Sequence, residues 1–405
     1  MRESSVTAAW CLVAIVTARL AIGADPTQPP PLLITTEARL ANAAFVSAEA
    51  GGTWAFKSAD DQSERTVPLR TVVRWGGFAK AVGGHRVRLV GGGEIVGYSV
   101  QMTQREVILE SDLLDQVKLP RAGVAAVIFD LPADEASAQA LERRIEAAGL
   151  EQDTLLFANG DRLAGELVGL AEDKLTLKTA EADLVVDRSR AAAVIVGRAI
   201  PPEQQKSLKT WIGLRDGSRF LAEKLVLKDA RVTVELAAGG TVSLSADAIL
   251  ALQPVGGDTI YLSDLEDAGY RHIPFLSLAW GYRRDRGVTG GPLSADSRLH
   301  LKGLGMHSAA RITYNLDAEY RALQAELAID DSTEGRGSVI CRAFVDDGSG
   351  KWQLKYESGV IRGGDKPLAM NVDLAGAKRI SLLVDFADRG DELDHVNWLD
   401  ARLVK

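Results

Sequence analysis

The sequence predicts an all-β chain: small β-barrel repeats joined by one connector helix, then a two-sheet sandwich. Three observations carry this. Tight turns recur between apolar runs, at Asn159-Gly160-Asp161 and Arg215-Asp216-Gly217, and Asn-Gly and Asp-Gly supply the positive φ that hairpin turns demand. Within 320–330, Leu323, Ala325, Leu327 and Ile329 alternate with Gln324, Glu326 and Ala328, the period of a half-buried strand. Helical spacing is confined to 131–150.

Residues 1–24 read as a secretory signal, with Arg2, an apolar run over 8–17, and Ala21-Ile22-Gly23-Ala24 before Asp25-Pro26. The run is too short to span a bilayer. Arg19 interrupts its end, and an uncleaved anchor is the alternative reading. An exported chain, periplasmic or extracellular, follows from this, with a proline-rich linker over 25–34. No later apolar run reaches spanning length, so no membrane span is expected in the mature chain. Loss of Cys11 with the signal leaves Cys341 alone, on the face of Val339 and Val345, hence a buried inert thiol and no internal disulfide.

One β-rich unit then recurs. Residues 35–130 hold two looser copies, the second with its turn at Gly91-Gly92-Gly93; 151–197 and 211–255 hold the two clearest. Each copy is a strand, a tight turn, a longer strand and two shorter ones, and in strand rhythm resembles SH3-like or Sm-like barrels. Between the second and third copies, Pro132, the spacing of Leu141 and Ile145, and Gly149 fit a connector helix over 131–150. Residues 198–210, with Pro201-Pro202, are a second linker.

The last part, 257–405, holds short strands over 311–316, 320–330, 338–345, 352–357, 367–374, 379–386 and 397–404. Turns such as Asp346-Asp347-Gly348 separate them, and no helix interrupts. That pattern argues for a sandwich.

This region also carries a resemblance. Tyr261-Leu262-Ser263-Asp264, Trp280-Gly281, Gly290-Gly291-Pro292-Leu293, Lys302-Gly303-Leu304-Gly305-Met306-His307-Ser308, Tyr314-Asn315-Leu316, Ile329-Asp330-Asp331 and Asp394-His395-Val396-Asn397-Trp398 follow one another in order and spacing. Together they resemble the NPCBM family, carbohydrate-binding modules found beside glycoside hydrolases. The resemblance implies a galactose-binding-like jelly roll and a glycan partner. It also implies a structural calcium ion, with Asp264, Asp400 and nearby backbone carbonyls to offer its ligands.

Several function classes are excluded or disfavoured. A net charge of −8 gives no basic footprint for nucleic acid. No nucleophile elbow, phosphate loop, dinucleotide fingerprint or zinc spacing is present. The adjacent pairs Asp330-Asp331 and Asp346-Asp347 point to opposite faces of a strand, and such turn-flanking aspartates cap turns more often than they form a glycosidase dyad. No catalytic residue is assigned.

Sugar binding asks for an aromatic platform beside polar groups in a shallow pocket. Trp280, His307, Arg311, Asp331, Glu392 and Trp398 are the candidates. His307, in the family's Gly-Leu-Gly-x-His motif, either donates to a sugar hydroxyl or holds Asp330 or Asp331. Trp398, beside Leu399 and Leu403, is either a platform or core. The expected function is non-catalytic carbohydrate binding by an exported protein. The alternatives are an envelope structural or protein-interaction protein without sugar affinity and, less favoured, a polysaccharide hydrolase. The oligomeric state is not specified by the sequence.

Overall fold

The computed structural model describes residues 31–48, 52–81, 83–132, 134–149, 151–197, 208–275 and 277–405. The expected signal segment, Cys11, nearly all of the 25–34 linker and most of the 198–210 linker lie outside these residues. Among the described residues, no helix is long and apolar enough to cross a membrane.

A five-strand pattern with a one-turn 3-10 helix before its last strand occurs four times. The third copy shows it plainly: Thr154–Phe157, Arg162–Ala164 running on into Glu166–Ala171, Lys174–Lys178, Asp183–Asp187, the 3-10 turn Arg188–Arg190, and Ala191–Ile195. The hairpin glycines Gly160 and Gly217 have φ of 105° and 85°, the conformation for which glycine is used. Each copy closes by pairing its last strand with its first, as in Thr154↔Ile195 and Ile212↔Leu252.

The copies are not beads on a string. Last strands pair with one another, Ala126↔Ile195 between the second and third copies and Leu252↔Trp75 between the fourth and first. Arg219↔Glu94 joins the fourth copy to the second. One 14-stranded sheet therefore runs through all four, and pairing edges between copies reduces a liability of small β units. A single apolar core extends from Phe45, Trp54, Phe56 and Trp75 through to Leu175 and Leu177. The helix Glu135–Ala147 is capped by Asp134, whose side chain accepts from Ser137 N. It lays Leu141 on Ile128, Leu156 and Ile195.

The C-terminal part is a jelly-roll β-sandwich. From Gly303–His307 onward, successive long strands alternate between two antiparallel sheets. Gly303–His307, Ala322–Ile329, Leu368–Asp373 and His395–Val404 lie in one; Ala310–Asn315, Ser338–Asp346 and Arg379–Phe386 lie in the other. Leu323, Ala325, Leu327 and Ile329 face the shared core with Tyr314, Trp398 and Leu403. Cys341 lies in this core, and burial pushes its thiol well above the usual range.

The opposite face of the first sheet is not solvated; the repeats cover it. Every residue of His395–Val404 is buried. A bulge helps: between Gln324 and Glu326 the partner strand slips by one residue, and Asp400 sits at φ 48°. Leu399 and Asp400 consequently both face outward, while Trp398 and Ala401 face the core. Asp400 Oδ2 accepts from Arg74 Nε at 2.9 Å, and Arg74 Nη2 donates to Glu326 at 2.8 Å. Gln253 Nε2 donates to Asp400 at 3.0 Å, and Arg39 also donates to Glu326. Arg321 with Glu37 (2.7 Å), and Phe78 packed with Leu299, extend the junction. The sandwich is thus seated on the repeats through a buried ionic network.

Candidate ligand-binding site

At one end of the sandwich the chain brings together His272, Trp280, His307 and His395. Register fixes two of them, because His307 and His395 face each other across neighbouring strands. Trp280 arrives on the loop after Gly269–His272, tethered by its own backbone. Its N–H donates to His272 Nδ1 at 3.2 Å, and its carbonyl accepts from Tyr270 Oη at 2.9 Å. The Trp280 ring stacks on His307 at 4.9 Å and 4°, with His395 tilted at 5.5 Å. His272 meets His307 edge-on at 5.8 Å.

Burial lowers the basicity of all three imidazoles, taking His307 down to about 4. At neutral pH the stack is therefore uncharged. Beneath it, Asp394 is fully buried; Oδ1 accepts from Ser338 N at 2.8 Å while Oδ2 has no hydrogen-bond partner among the described residues. Burial pushes this carboxyl up to about 6.

A cleft of about 270 Å³ is lined by Gly335, Arg336, Gly337, Ser338, Arg362, Gly363, Asp388, Arg389 and Glu392. It connects to the stack through Ser338 N, which donates to Asp394, the residue before His395. Arg362 holds Asp388 Oδ2 through Nε at 3.1 Å and Nη2 at 2.8 Å. Ser338 Oγ anchors the loop by accepting from Asp388 N at 2.8 Å. On the outer side lie Phe275 and Phe386, edge to face at 6.4 Å. A larger, more open cleft of about 570 Å³ lies between the second and third repeats. It has no aromatic wall, and its Arg121 is committed to Asp153 and Leu167 O.

Of the residues expected from the sequence, Trp280 and His307 meet in the stack and Glu392 lines the cleft. Three others do not join them. Trp398 is 0% exposed and belongs to the core between the two sheets, so it cannot be a platform. Arg311 stands opposite Arg271 on the outer face of the second sheet. Asp331 accepts from Ser297 N at 3.0 Å, and Asp330 from Ser294 N at 3.2 Å and Asn397 Nδ2 at 2.5 Å. Both aspartates therefore latch the 293–300 hairpin, and His307 does not hold them.

The two carboxylates expected as calcium ligands, Asp264 and Asp400, do not come together. Asp264 accepts from Lys302 Nζ at 2.5 Å, with Asp285 on the same ammonium at 2.8 Å. Asp400 lies elsewhere, in the junction. There His300, Glu326 and Asp400 offer ligand atoms within 4.8 Å of one another, but Arg74 and Arg39 already neutralise the carboxylates. A divalent cation does not fit beside those guanidinium groups.

The sequence reading missed His272, Phe275 and Phe386. Their signal was an apolar run, Ile273-Pro274-Phe275 to Leu278, that follows no strand or helix period.

Residues 258–404 match the family model described as "NPCBM/NEW2 domain", which bears out the C-terminal resemblance. A Renibacterium salmoninarum protein described as an endo-alpha-N-acetylgalactosaminidase is 29% identical over 115 residues, 28% of this chain and 7% of that protein. Among solved structures, one of CBM51-2 in complex with GlcNAc and INT domains from Clostridium perfringens ZmpB is 25% identical, with a TM-score of 0.32. It covers 45% of this chain and 40% of that one. A CBM51 from Clostridium perfringens GH95 in complex with methyl-galactose is 21% identical, with a TM-score of 0.32, over 36% of this chain and 99% of that one. This chain therefore spans less than half of the curated relative and of the first of these structures.

Proposed function

We propose that this chain is an exported, non-catalytic protein whose C-terminal sandwich holds a carbohydrate against Trp280, with the four repeats as a rigid pedestal. One observation carries the reading: a half-buried indole is backed on one face by the neutral His307 ring, and through His395, Asp394 and Ser338 the same end of the sandwich leads to a cleft lined by charged donors and acceptors. A pyranose presents an apolar C–H face and a hydroxyl edge, so an aromatic plate beside polar groups suits it. Arg336 and Glu392 would meet the hydroxyls as donor and acceptor. The family match over 258–404 supports the same substrate class.

Holding rather than cutting is favoured by the carboxylates. A glycosidase needs two, acting across the scissile bond; here Asp388 is already bound by Arg362, which leaves Glu392 without a second. Export rests on the reading of 1–24. GlcNAc and methyl-galactose, the ligands named for the two clostridial modules, are the first sugars to try. In a glycan array and affinity gel with the full chain, Trp280→Ala should weaken binding at least about tenfold, roughly 1.4 kcal/mol. A folded chain that binds no glycan, or binds equally well after the substitution, contradicts the proposal.

A further inference from the structure

The loop that carries Trp280 also exposes more apolar surface than a sugar ring can use. Ile273 is 59% exposed, Phe275 60%, Leu278 65% and, from the neighbouring 386–394 loop, Phe386 42%. Single exposed apolar residues are ordinary; four on two segments that Phe275 and Phe386 bring together, the second leading into the cleft residues Asp388 and Arg389, form a patch that asks for an occupant. Branched aliphatic side chains have no π face, so Ile273 and Leu278 cannot stack on a pyranose as Trp280 does. Their chemistry matches hydrocarbon.

Charge narrows the occupant further. The chain carries a net −8 and is repelled by a strongly anionic bilayer. The patch itself is uncharged and is flanked by both signs, Arg271 and Arg389 on one hand and Asp388 and Glu392 on the other. That combination suits the interfacial zone of a zwitterionic membrane, where apolar side chains enter the acyl boundary and guanidinium groups meet phosphate.

We propose that the glycan taken at this rim is one displayed on a lipid surface, with Ile273, Phe275, Leu278 and Phe386 entering the interface while the sugar headgroup lies against Trp280. The inference rests on the carbohydrate reading above and specifies how that ligand is presented.

The test uses the full chain, phosphatidylcholine vesicles with and without a minor fraction of galactosylceramide or a GlcNAc-terminated lipid, and the same sugars free in solution. Whichever sugar binds in solution should bind at least about tenfold more tightly on vesicles. Ile273→Ser with Leu278→Ser should remove that gain and leave the affinity for the free sugar unchanged; both side chains are exposed, so folding is spared. The gain should shrink when phosphatidylserine is added. Equal affinity for free and vesicle-borne sugar, or a gain that survives the double substitution, overturns the lipid inference and leaves the sugar reading intact. Binding to glycan-free vesicles alone, abolished by the double substitution, overturns the glycan reading and with it this inference. Binding to neither sugar nor vesicles overturns both and directs attention to a protein partner for the patch.

Discussion

Replacing Arg74 by Met tests the seat between repeats and sandwich. Arg74 is 3% exposed, and Asp400 and Glu326 are 0% and 5% exposed, so the substitution leaves carboxylates with nowhere to find water. The two are not equally stranded. Glu326 keeps Arg39, whereas Asp400 keeps the Gln253 amide at 3.0 Å, the His300 ring at 3.6 Å and the charge of the buried Arg402, which makes no hydrogen bond to its carboxylate. Breaking a buried pair from one side costs about 3–5 kcal/mol, and the surviving Arg39 contact puts the expected loss near the lower end, about 3 kcal/mol.

The pH dependence is the sharper signature. In the native chain, burial, the largest influence, would raise the Asp400 carboxyl, but Arg74, His300 and Arg402 together outweigh it and hold the group well below the usual range, Arg74 contributing most. That stabilisation is present above the ordinary carboxylate value and is lost only as pH falls through the depressed one. Without Arg74, burial remains and the largest attraction is gone, so the carboxyl rises even with His300 and Arg402 still beside it. The deficit of Arg74→Met should therefore be largest near pH 8 and shrink toward pH 5, as read by urea unfolding at both values. Adding Asp400→Leu should recover much of the loss, because an apolar pair replaces a stranded charge. A loss below about 1 kcal/mol, or one that grows on acidification, refutes the reasoning.

Other outcomes follow from the same geometry. Asp394 has its carboxyl raised from 3.8 to about 6, so the native state loses stability as pH climbs through that interval. Asp394→Asn should gain about 1–3 kcal/mol at pH 8 and lose its advantage below pH 4, checked by denaturation across pH. His307 works the other way: with its value lowered from 6.5 to about 4, its contribution is complete above pH 6.5 and fades as pH falls toward 4, so His307→Gln should flatten the acid limb of the stability profile. A Cβ at Gly305 would lie 2.3 Å from Arg286 O and 2.5 Å from Val288 N; Gly305→Ala should cost about 1–3 kcal/mol and weaken glycan binding by shifting His307 on the same strand.

Much of the fold was legible. Asn159-Gly160 and Asp216-Gly217 announced their hairpins because few residues accept positive φ. The alternation from Leu323 to Ile329 announced which side of that strand faces the core. What alternation cannot announce is a cover on the other side: Glu326 and Gln324 read as a solvent face, and only the folded chain puts Arg74, Arg39 and the Thr36 carbonyl over them. Asp400 was harder still, since the bulge breaks parity and sends two successive residues outward.

The site was legible in part. Trp280 and His307 stood in a glycine-bracketed, loop-like setting and were found. Trp398 carried the same residue type but sat on the core parity of a buried strand. The pairing of Phe275 with Phe386 joins loops over a hundred positions apart, and no local pattern encodes it. The separate ion pairs of Asp264 with Lys302 and of Asp400 with Arg74 were not legible, because sequence shows carboxylates without the cations that neutralise them.

The most direct measurement is a crystal structure of the full chain soaked with a glycan it binds. The account predicts the sugar ring against Trp280, with its hydroxyls toward Arg336 and Glu392. Density instead over the exposed Trp352, which stacks with Arg379 at the far end of the sandwich, or in the cleft between the second and third repeats, would contradict it.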